Sequence, residues 1–281
     1  MITEDVEKPI MRYHGGKFRI ANWVISHFPD HQIYCEPFGG AASVLMRKVR
    51  SDGEIYNDLD GDMVNVMEVL RDEAMREDLA EALVFTLYSR DVFNQAWEPA
   101  SCPVERARRT FIRAEMGFGS AGATKGATGF RIDTGRESAT AMKIWERVPQ
   151  SLQAFGMRLA GVLIENRPAL KVLRNHDTPE TLFYVDPPYI HSTRKIGSSR
   201  YYRHEMSDGQ HSELLDVLLD LKGMVIVSGY PNGLYDQKLK GWRREETTAR
   251  MAANRGTGTR TEVLWISPNC DTGQVSLLLP F

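Results

Sequence analysis

The chain has 281 residues, of which 42% are hydrophobic and 26% charged, the composition of an ordinary globular protein with a sizeable core. This composition excludes wholesale disorder, and the length allows one elaborated domain or one domain with a smaller insertion. The formal net charge of −2, taken for the whole chain, argues against a nucleic-acid-binding protein.

The sequence shows no signal for a membrane or a metal. No apolar run approaches the roughly 18 residues of a membrane span, and the acidic segment 1–5 is unlike a signal peptide. Cys35, Cys102 and Cys270 are widely spaced, which suggests neither a disulfide framework nor a zinc site. We therefore expect a cytoplasmic protein without membrane contact or bound metal.

The charges are unevenly distributed along the chain. Residues 52–105 carry fourteen acidic and three basic side chains, whereas residues 106–147 carry nine basic and four acidic ones. Two more basic blocks lie at 194–203 and 238–260. Three basic blocks in a nearly neutral chain are as consistent with a polyanion-binding surface as with solvated faces.

Apolar runs and helical periodicity predict an alternation of strands and helices. The predicted strands span residues 32–36, 54–57, 162–165, 182–185 and 224–227. The predicted helices span residues 41–46, 62–70 and 208–221. Strands that alternate with helices predict a largely parallel, doubly wound sheet.

About a hundred residues separate the second predicted strand from the third, where a crossover needs only a few dozen. The middle of this gap, 111–131, is rich in glycine and basic residues, with phenylalanines between them. We interpret it as part of an inserted, flexible module that presents a basic surface.

Two features lie at the ends of the first two predicted strands. Gly39 and Gly40 follow the first strand, where glycine allows the backbone to approach a ligand or simply makes a turn. Asp58 ends the second strand, 18 residues beyond Gly40. An acid there suits a ribose hydroxyl or a helix N-cap equally well.

The segment Asp186-Pro187-Pro188-Tyr189 follows an apolar strand, at the sheet edge where open parallel sheets bind ligands. Two prolines make a rigid loop that exposes carbonyl groups. The carboxylate of Asp186 and the carbonyl of Pro187 can accept from an exocyclic amine while Tyr189 stacks on its ring. Tyr230 follows the fifth strand, where it either walls the same pocket or packs its loop.

Four segments in this order resemble the Dam-type adenine-specific DNA methyltransferases of class α, including phage-type and prophage-type members. The segments are Arg12-Tyr13-His14-Gly15-Gly16-Lys17, Glu36-Pro37-Phe38-Gly39-Gly40-Ala41-Ala42-Ser43-Val44, Asn57-Asp58 and Asp186-Pro187-Pro188-Tyr189. Residues 260–265 also resemble a late strand of phage-type members. The resemblance therefore covers essentially the whole chain.

The resemblance implies S-adenosylmethionine as the cofactor. Its implied neighbours are Tyr13, Lys17, Glu36, Pro37, Phe38, Gly39, Gly40, Asp58 and Asp186. Lys17 is expected to meet a carboxylate, Asp58 to hold the ribose, and Asp186 to stand between the cofactor and the target amine. Asp186, Pro187 and Tyr189 are the expected catalytic residues.

The implied fold is α/β, a doubly wound Rossmann-like methyltransferase sheet with an inserted, mostly helical plus hairpin target-recognition domain. The expected catalytic domain spans 1–75 and 157–281, and the insertion spans 76–156. The expected partner is double-stranded DNA, bound by a monomer. The expected DNA contacts are Arg113, Lys125, Arg131, Arg194, Lys195, Arg200 and Arg203.

The implied reaction transfers a methyl group to the N6 amine of an adenine flipped out of the duplex. Cytosine ring methylation needs a nucleophilic cysteine, typically in Pro-Cys, and only the reverse order, Cys102-Pro103, is present. Methylation of the cytosine amine and an inactive DNA-binding homologue stay as alternatives. Protein or RNA methylation is less favoured, because the large basic insertion suits DNA.

Overall fold

The computed structural model describes residues 6–124, 127–132, 135, 140–190, 202–253 and 256–272. Within this range, side chains are described everywhere except at 249–259. Four residues with an expected DNA contact lie outside the described residues, namely Lys125, Arg194, Lys195 and Arg200.

A seven-stranded sheet forms the centre of the protein. The strands are β1 (Ile33–Glu36), β2 (Gly53–Asn57), β3 (Leu163–Glu165), β4 (Thr181–Val185), β5 (Met224–Gly229), β6 (Arg243–Ala253) and β7 (Gly256–Ile266). Their order is β3-β2-β1-β4-β5-β7-β6. Strands β1 to β5 are parallel, and β7 is antiparallel to both β5 and β6. All five predicted strands are confirmed.

Helices connect and cover these strands. They are α1 (Ala21–Ile25), α2 (Gly61–Arg71), α3 (Glu73–Val84), α4 (Arg90–Gln95), α5 (Pro103–Met116), α6 (Ala141–Glu146), α7 (Leu152–Leu159), α8 (Ala169–Asn175), α9 (Asp208–Leu219), α10 (Gly233–Lys238) and α11 (Asn269–Thr272). The predicted helices at 62–70 and 208–221 correspond to α2 and α9. The Asp60 side chain caps α2, and Ser207 forms a capping box with Gln210 at the start of α9.

Successive side chains of the central strands enter two separate hydrophobic cores. On β4, Leu182 and Tyr184 join a core with α2, α5 and α7, while Phe183 and Val185 join one with α8, α9 and α10. A parallel sheet buried on both faces explains the continuous apolar runs of its strands. The predicted doubly wound α/β fold is confirmed.

The predicted insertion lies between α2 and β3 and contains α3 to α7. Helix α5 packs on α2, and its Phe111 belongs to the same core as Tyr34 of β1. After α5 the chain makes an antiparallel hairpin, in which Arg131 N–H donates to the Met116 carbonyl at 2.7 Å. The region is thus mostly helical with a hairpin, as predicted, and its helices extend the core of the sheet.

Residues 40–48 form successive turns, and the helix predicted at 41–46 is wrong. Ala42 has a φ of 51°, a left-handed conformation that interrupts a helix. The Leu45 N–H donates to the Glu36 carboxylate at 2.7 Å, so a side chain from β1 replaces a helical carbonyl acceptor. The helix-forming composition is therefore overridden by a contact with Glu36.

Candidate active site

The carboxyl ends of the parallel strands bring the predicted motifs to one edge of the sheet. Glu36 ends β1, Asp58 follows β2, Asp186 follows β4 and Tyr230 follows β5. The N-terminal segment adds Lys17 to the same place. This edge is where open α/β sheets bind their ligands.

Asp186 is held by two side chains that are distant in the sequence. Lys17 Nζ lies 2.7 Å from each carboxylate oxygen of Asp186, and Ser228 Oγ donates to Oδ1 at 3.0 Å. Burial alone would lower the pKa of Lys17, but Asp186 and Glu262 raise it above its ordinary value. Lys17 is therefore a stable ammonium ion, and the expectation that it meets a carboxylate agrees with its position.

Tyr189 lies beside this ion pair, with its ring fixed from several sides. Its hydroxyl donates to Glu262 Oε1 at 2.8 Å, and Lys17 Nζ is 4.9 Å from its ring centroid. The ring of Tyr230 lies 4.2 Å away, centroid to centroid, at an angle of 47°. Tyr230 thus packs against the expected stacking residue rather than only against its own loop.

A cleft next to Asp186 brings together all nine residues expected around the cofactor. These are Tyr13, Lys17, Glu36, Pro37, Phe38, Gly39, Gly40, Asp58 and Asp186. Pro188, the buried Thr124 of the hairpin region and the segment 202–206 also line this cleft. Residues 169 positions apart in the chain, Lys17 and Asp186, therefore share one cavity wall.

Glycine is required at positions 39 and 40 for a reason that the pattern did not reveal. A side chain at Gly39 would collide with the ring of Tyr56, and one at Gly40 would come within 2.7 Å of Tyr13. Gly40 also has a φ of 48°. Glycine at these two positions therefore leaves room for two of the protein's own tyrosine rings beside the cleft. This requirement holds whether or not a ligand also approaches the backbone there.

Glu36 is a buried acid at the floor of this turn. Burial raises the pKa of Glu36 to about 7, although hydrogen bonds from the Tyr34 hydroxyl and the Leu45 N–H act against this shift. Both bonds end on Oε1. Glu36 thus shapes the turn at 40–48 as well as lining the cleft.

Asp58 joins the glycine turn after β1 to the segment that leads into α2. Its Oδ2 accepts the Gly40 N–H and its Oδ1 accepts the Asp60 N–H, each at 2.7 Å. Burial raises the pKa of Asp58 to about 6, against the effect of these two hydrogen bonds. Each oxygen keeps a second lone pair, so Asp58 can still accept from a ligand hydroxyl.

Arg113 and Arg203 meet around Asp62 at the start of α2. Arg113 is 7% exposed, and its Nη2 donates to Asp62 at 2.8 Å. Arg203 binds both Asp62 and Asp60, the latter at 3.2 Å. The guanidinium of Arg113 therefore stabilises the fold from inside, which corrects the expectation that it lies on an open DNA-binding surface.

The hairpin after α5 contacts the N-terminal segment that carries Lys17. The Arg12 N–H donates to Glu115 at 2.8 Å, Arg12 Nη1 donates to the Gly117 carbonyl, and the His14 ring lies 3.2 Å from the Ser120 hydroxyl. Arg131 is half-buried in this hairpin. The expected DNA-binding hairpin and Lys17 are thus joined by a short, hydrogen-bonded segment.

Two site residues escaped the sequence analysis. Ser228, at the end of β5, donates to Asp186, and Glu262, on β7, accepts from Tyr189. Both lie on strands near the loop 186–189. Residues 260–265 resemble a late strand of the family, but that resemblance gives Glu262 no role, and none of the quoted segments includes Ser228. Only the order of β5 and β7 in the sheet could have indicated that they meet Asp186 and Tyr189.

The site is equipped for recognising polar groups. In the described part of the chain, no group of three or more His, Cys, Asp or Glu side chains could hold a metal ion. Within the same residues, no helix is long and apolar enough to cross a membrane. Asp186 offers acceptors beside an aromatic ring, next to a cleft with further buried acids.

Comparisons with known proteins identify the family of this chain. The family described as D12 class N6 adenine-specific DNA methyltransferase matches residues 13–240. Among solved structures, the chain is similar to a precorrin 8W decarboxylase from Methanobacterium thermoautotrophicum, with 11% identity over 95% of this chain and 98% of that chain and a TM-score of 0.36. No curated protein matches the chain.

Proposed function

This chain belongs to the D12 class N6 adenine-specific DNA methyltransferases and methylates adenine in DNA, and we propose that it does so with S-adenosylmethionine on a flipped-out base. The observation that carries this proposal is the position of Asp186. Asp186 lines the cleft together with its partner Lys17, and Tyr189 lies beside this ion pair. An amine acceptor, a stacking ring and a cofactor-sized cleft thus share one edge of the sheet.

The residues of the cleft fit S-adenosylmethionine. Asp58 has acceptor capacity for a ribose diol. The buried Glu36 and the partly buried Asp186 suit a ligand that carries a sulfonium and an ammonium group. Phe38 and Tyr13 supply apolar surface. When bound, S-adenosylmethionine supplies an electrophilic methyl group.

Asp186 and the Pro187 carbonyl would accept the two N–H groups of the adenine amine. The lone pair of this nitrogen is delocalised into the ring, and these hydrogen bonds favour a more tetrahedral nitrogen with an available lone pair. In the displacement, the N–C bond forms and the C–S bond breaks, with its electron pair left on sulfur. One N–H proton then leaves to Asp186 or to water, so positioning and electrostatics supply most of the catalysis.

Tyr189 would stack on the flipped adenine, because its ring lies beside the Lys17–Asp186 ion pair. Unpairing and unstacking a base costs a few kcal/mol, and a stacking ring offsets part of this cost. The Lys17 ammonium, 4.9 Å from the ring centroid, and the Glu262 carboxylate hold the ring in place. Tyr230, which packs on Tyr189, forms the adjoining wall.

We propose that the DNA backbone crosses the hairpin side of this edge. Arg131 of the hairpin and Arg203 beside the cleft are the expected DNA contacts that the structure describes on that side, while Arg113 is turned inward. Lys125, Arg194, Lys195 and Arg200 complete the proposed contacts. In this proposal residues 76–156 recognise the target, residues 1–75 and 157–281 hold the cofactor, and a monomer suffices.

The decisive experiment is expression in a methylation-free bacterial host, followed by sequencing that detects modified bases. We expect N6-methyladenine at one short recurrent site, and binding of S-adenosylmethionine by the purified protein in calorimetry. Asp186→Asn should remove the modification and retain cofactor binding. Asp216→Asn, which alters an exposed aspartate paired with Lys238, is the matched control and should leave the modification intact.

Other outcomes of this experiment would favour the alternatives. Modified cytosine amines would indicate methylation of the other exocyclic amine, which needs the same chemistry. An unmodified genome together with absent cofactor binding would indicate an inactive DNA-binding homologue. Cofactor binding without any modified DNA would contradict the proposed action on a flipped base.

A further inference from the structure

Glu262 is a buried carboxylate of β7 beside the catalytic centre, and it lies beyond the matched segment 13–240. The residue is only 3% exposed. A buried carboxylate is costly unless it is paired or hydrogen-bonded, so its partners indicate its role. These partners are Lys17 and Tyr189, two residues of the proposed catalytic centre.

The Lys17 ammonium stands between two carboxylates. Nζ is 2.7 Å from both oxygens of Asp186 and 3.6 Å from Oε1 of Glu262. While Lys17 binds both oxygens, it neutralises the charge with which Asp186 would attract an incoming amine. A displacement of about 1 Å would bring Nζ within hydrogen-bond distance of Glu262 and free one side of Asp186.

The second partner, Tyr189, depends on Glu262 for its orientation. The phenol donates to Glu262 Oε1 at 2.8 Å, at the far end of the ring from the backbone. Since stacking depends on the plane of the ring, this bond determines which surface Tyr189 offers to a base. Glu262 therefore contacts both groups that must be in place when adenine enters.

We propose that Glu262 is a positioning residue of the methyl-transfer reaction. It receives Lys17 when the adenine amine binds to Asp186, and it holds the Tyr189 ring through the phenol. The inference rests on the proposed function, because it needs an amine that competes with Lys17 for Asp186. Since Glu262 acts through these two residues, its loss should lower kcat and leave substrate and cofactor binding nearly unchanged.

The charge of Glu262 also gives the reaction a pH dependence. The charged and titratable groups that face it are Lys17, Tyr184, Asp186, Tyr189 and Tyr230. Burial raises the pKa of Glu262 to about 7, Lys17 opposes this shift, and Asp186 adds to it. Protonation at lower pH removes the negative charge that attracts Lys17, so the transfer rate should fall as the pH drops through 7.

The test compares Glu262→Gln with the wild-type enzyme on long, unmethylated genomic DNA and labelled S-adenosylmethionine. Glutamine keeps an acceptor for the Tyr189 hydroxyl but removes the charge that attracts Lys17. We expect kcat to fall roughly 10- to 100-fold, with the cofactor Kd and the DNA KM within about threefold. In Glu262→Gln, the fall in kcat below about pH 7 should disappear when it is measured at saturating cofactor. Saturation removes effects on cofactor binding, so this measurement distinguishes the titration of Glu262 from that of Glu36 and Asp58 in the cofactor cleft.

Two further variants separate the two contacts and control for folding. Tyr189→Phe keeps the ring and removes the hydroxyl, and its effect should combine less than additively with that of Glu262→Gln, because the two groups form one bond. Glu54→Gln is the matched control, since Glu54 is also buried and paired, with Lys48 and Arg158. It should lower Tm and leave kcat per folded molecule unchanged.

The outcomes distinguish this inference from the function on which it rests. A folded Glu262→Gln variant with kcat within threefold of wild type and an unchanged pH profile would overturn the role of Glu262. An equal loss of kcat in Glu54→Gln would assign the effect to stability and overturn it as well. A wild-type protein that methylates no adenine would overturn the proposed function instead.

Discussion

Two aspartates of one short segment, Asp58 and Asp62, show how the cofactor cleft differs from the arginine cluster beside it. Burial raises the pKa of Asp58 to about 6, and the hydrogen bonds from two backbone N–H groups oppose this shift only in part. Burial also acts to raise the pKa of Asp62, but hydrogen bonds from Arg203 and Arg106 outweigh it and lower this pKa to about 2. A carboxylate buried without a cation is available for a ligand, whereas one among arginines already has its partners.

The same division extends to the neighbouring acids. Glu36 and Glu262, beside the cleft, have pKa values raised to about 7, mainly by burial. Glu54, away from the cleft, is also buried, yet Arg158 and Lys48 lower its pKa. Buried carboxylates with a raised pKa are enriched at functional sites. The comparison predicts that the acids beside the cleft govern activity, Glu36 and Asp58 through cofactor binding and Glu262 through turnover, and that arginine-paired acids govern stability.

The largest effect is expected from Asp62→Asn. The substitution leaves Arg113 buried without its carboxylate, and removing one partner of a buried ion pair costs about 3–5 kcal/mol. We expect the free energy of unfolding in urea to fall by about this amount, with the cofactor Kd within about threefold of wild type. A stable variant with a large loss of cofactor affinity would contradict the division.

Asp58→Asn should show the converse. Asparagine keeps one oxygen for a backbone N–H but loses the charge and one acceptor, so we expect the calorimetric Kd for S-adenosylmethionine to rise about 30-fold. The free energy of unfolding of the cofactor-free protein should change by less than about 1 kcal/mol. If affinity survives this change, Asp58 does not hold the ribose.

The cofactor-free protein should become more stable as the pH falls from 8 to 5. Glu36, Asp58 and Glu262 have folded-state pKa values raised above those of the unfolded chain. Their contribution is fully present below the unfolded pKa and is lost as the pH rises through 6 to 7, on the order of 1–3 kcal/mol in total. Urea titrations across this range measure it.

Asp58→Asn supplies the control for this pH dependence, because it removes one of the three carboxyl groups with a raised pKa. The free energy of unfolding of this variant should therefore change less with pH than that of the wild type. Asp62 acts in the opposite sense. Its pKa is lowered in the fold, so its contribution is present above the unfolded pKa and is lost as the pH falls towards 2. A stability that only declined between pH 8 and pH 5 would contradict the raised values in the cleft.

The smallest effect is expected from Arg131→Ala on DNA affinity. Loss of one phosphate contact should weaken binding roughly three- to tenfold and reduce the slope of log K against log salt by about one. Arg174→Ala, at an exposed arginine of α8, is the control and should leave both quantities unchanged. Equal binding by the two variants would place the DNA away from the hairpin.

Much of the fold could be predicted because the central strands are buried on both faces. Their continuous apolar runs, as in 182–185, do not depend on partners elsewhere in the chain. The polar edge strand β6 gave no such signal, because residues 243–248 carry mostly charged or threonine side chains and pair only with β7. Its strand structure comes from the backbone of β7 rather than from burial.

The site could be predicted in part. Asp186 was identifiable because its motif is contiguous and follows an apolar strand, but Ser228 and Glu262 reach the site through sheet order. Arg113 shows the limit of charge counting. It belongs to a basic block, yet its partner Asp62 lies 51 residues away in the acidic region. The opposite charges of the two blocks partly neutralise each other inside the fold.

The strand order also has a consequence for how the protein is made. Strand β7 lies between β5 and β6, so neither the edge of β5 nor the whole of β6 has its partner until residues 256–266 have been synthesised. The emerging chain therefore exposes unpaired strand edges, which favour aggregation. Glu262, a partner of Lys17, lies on the same late strand. The site is therefore complete only after β7 has paired with β5.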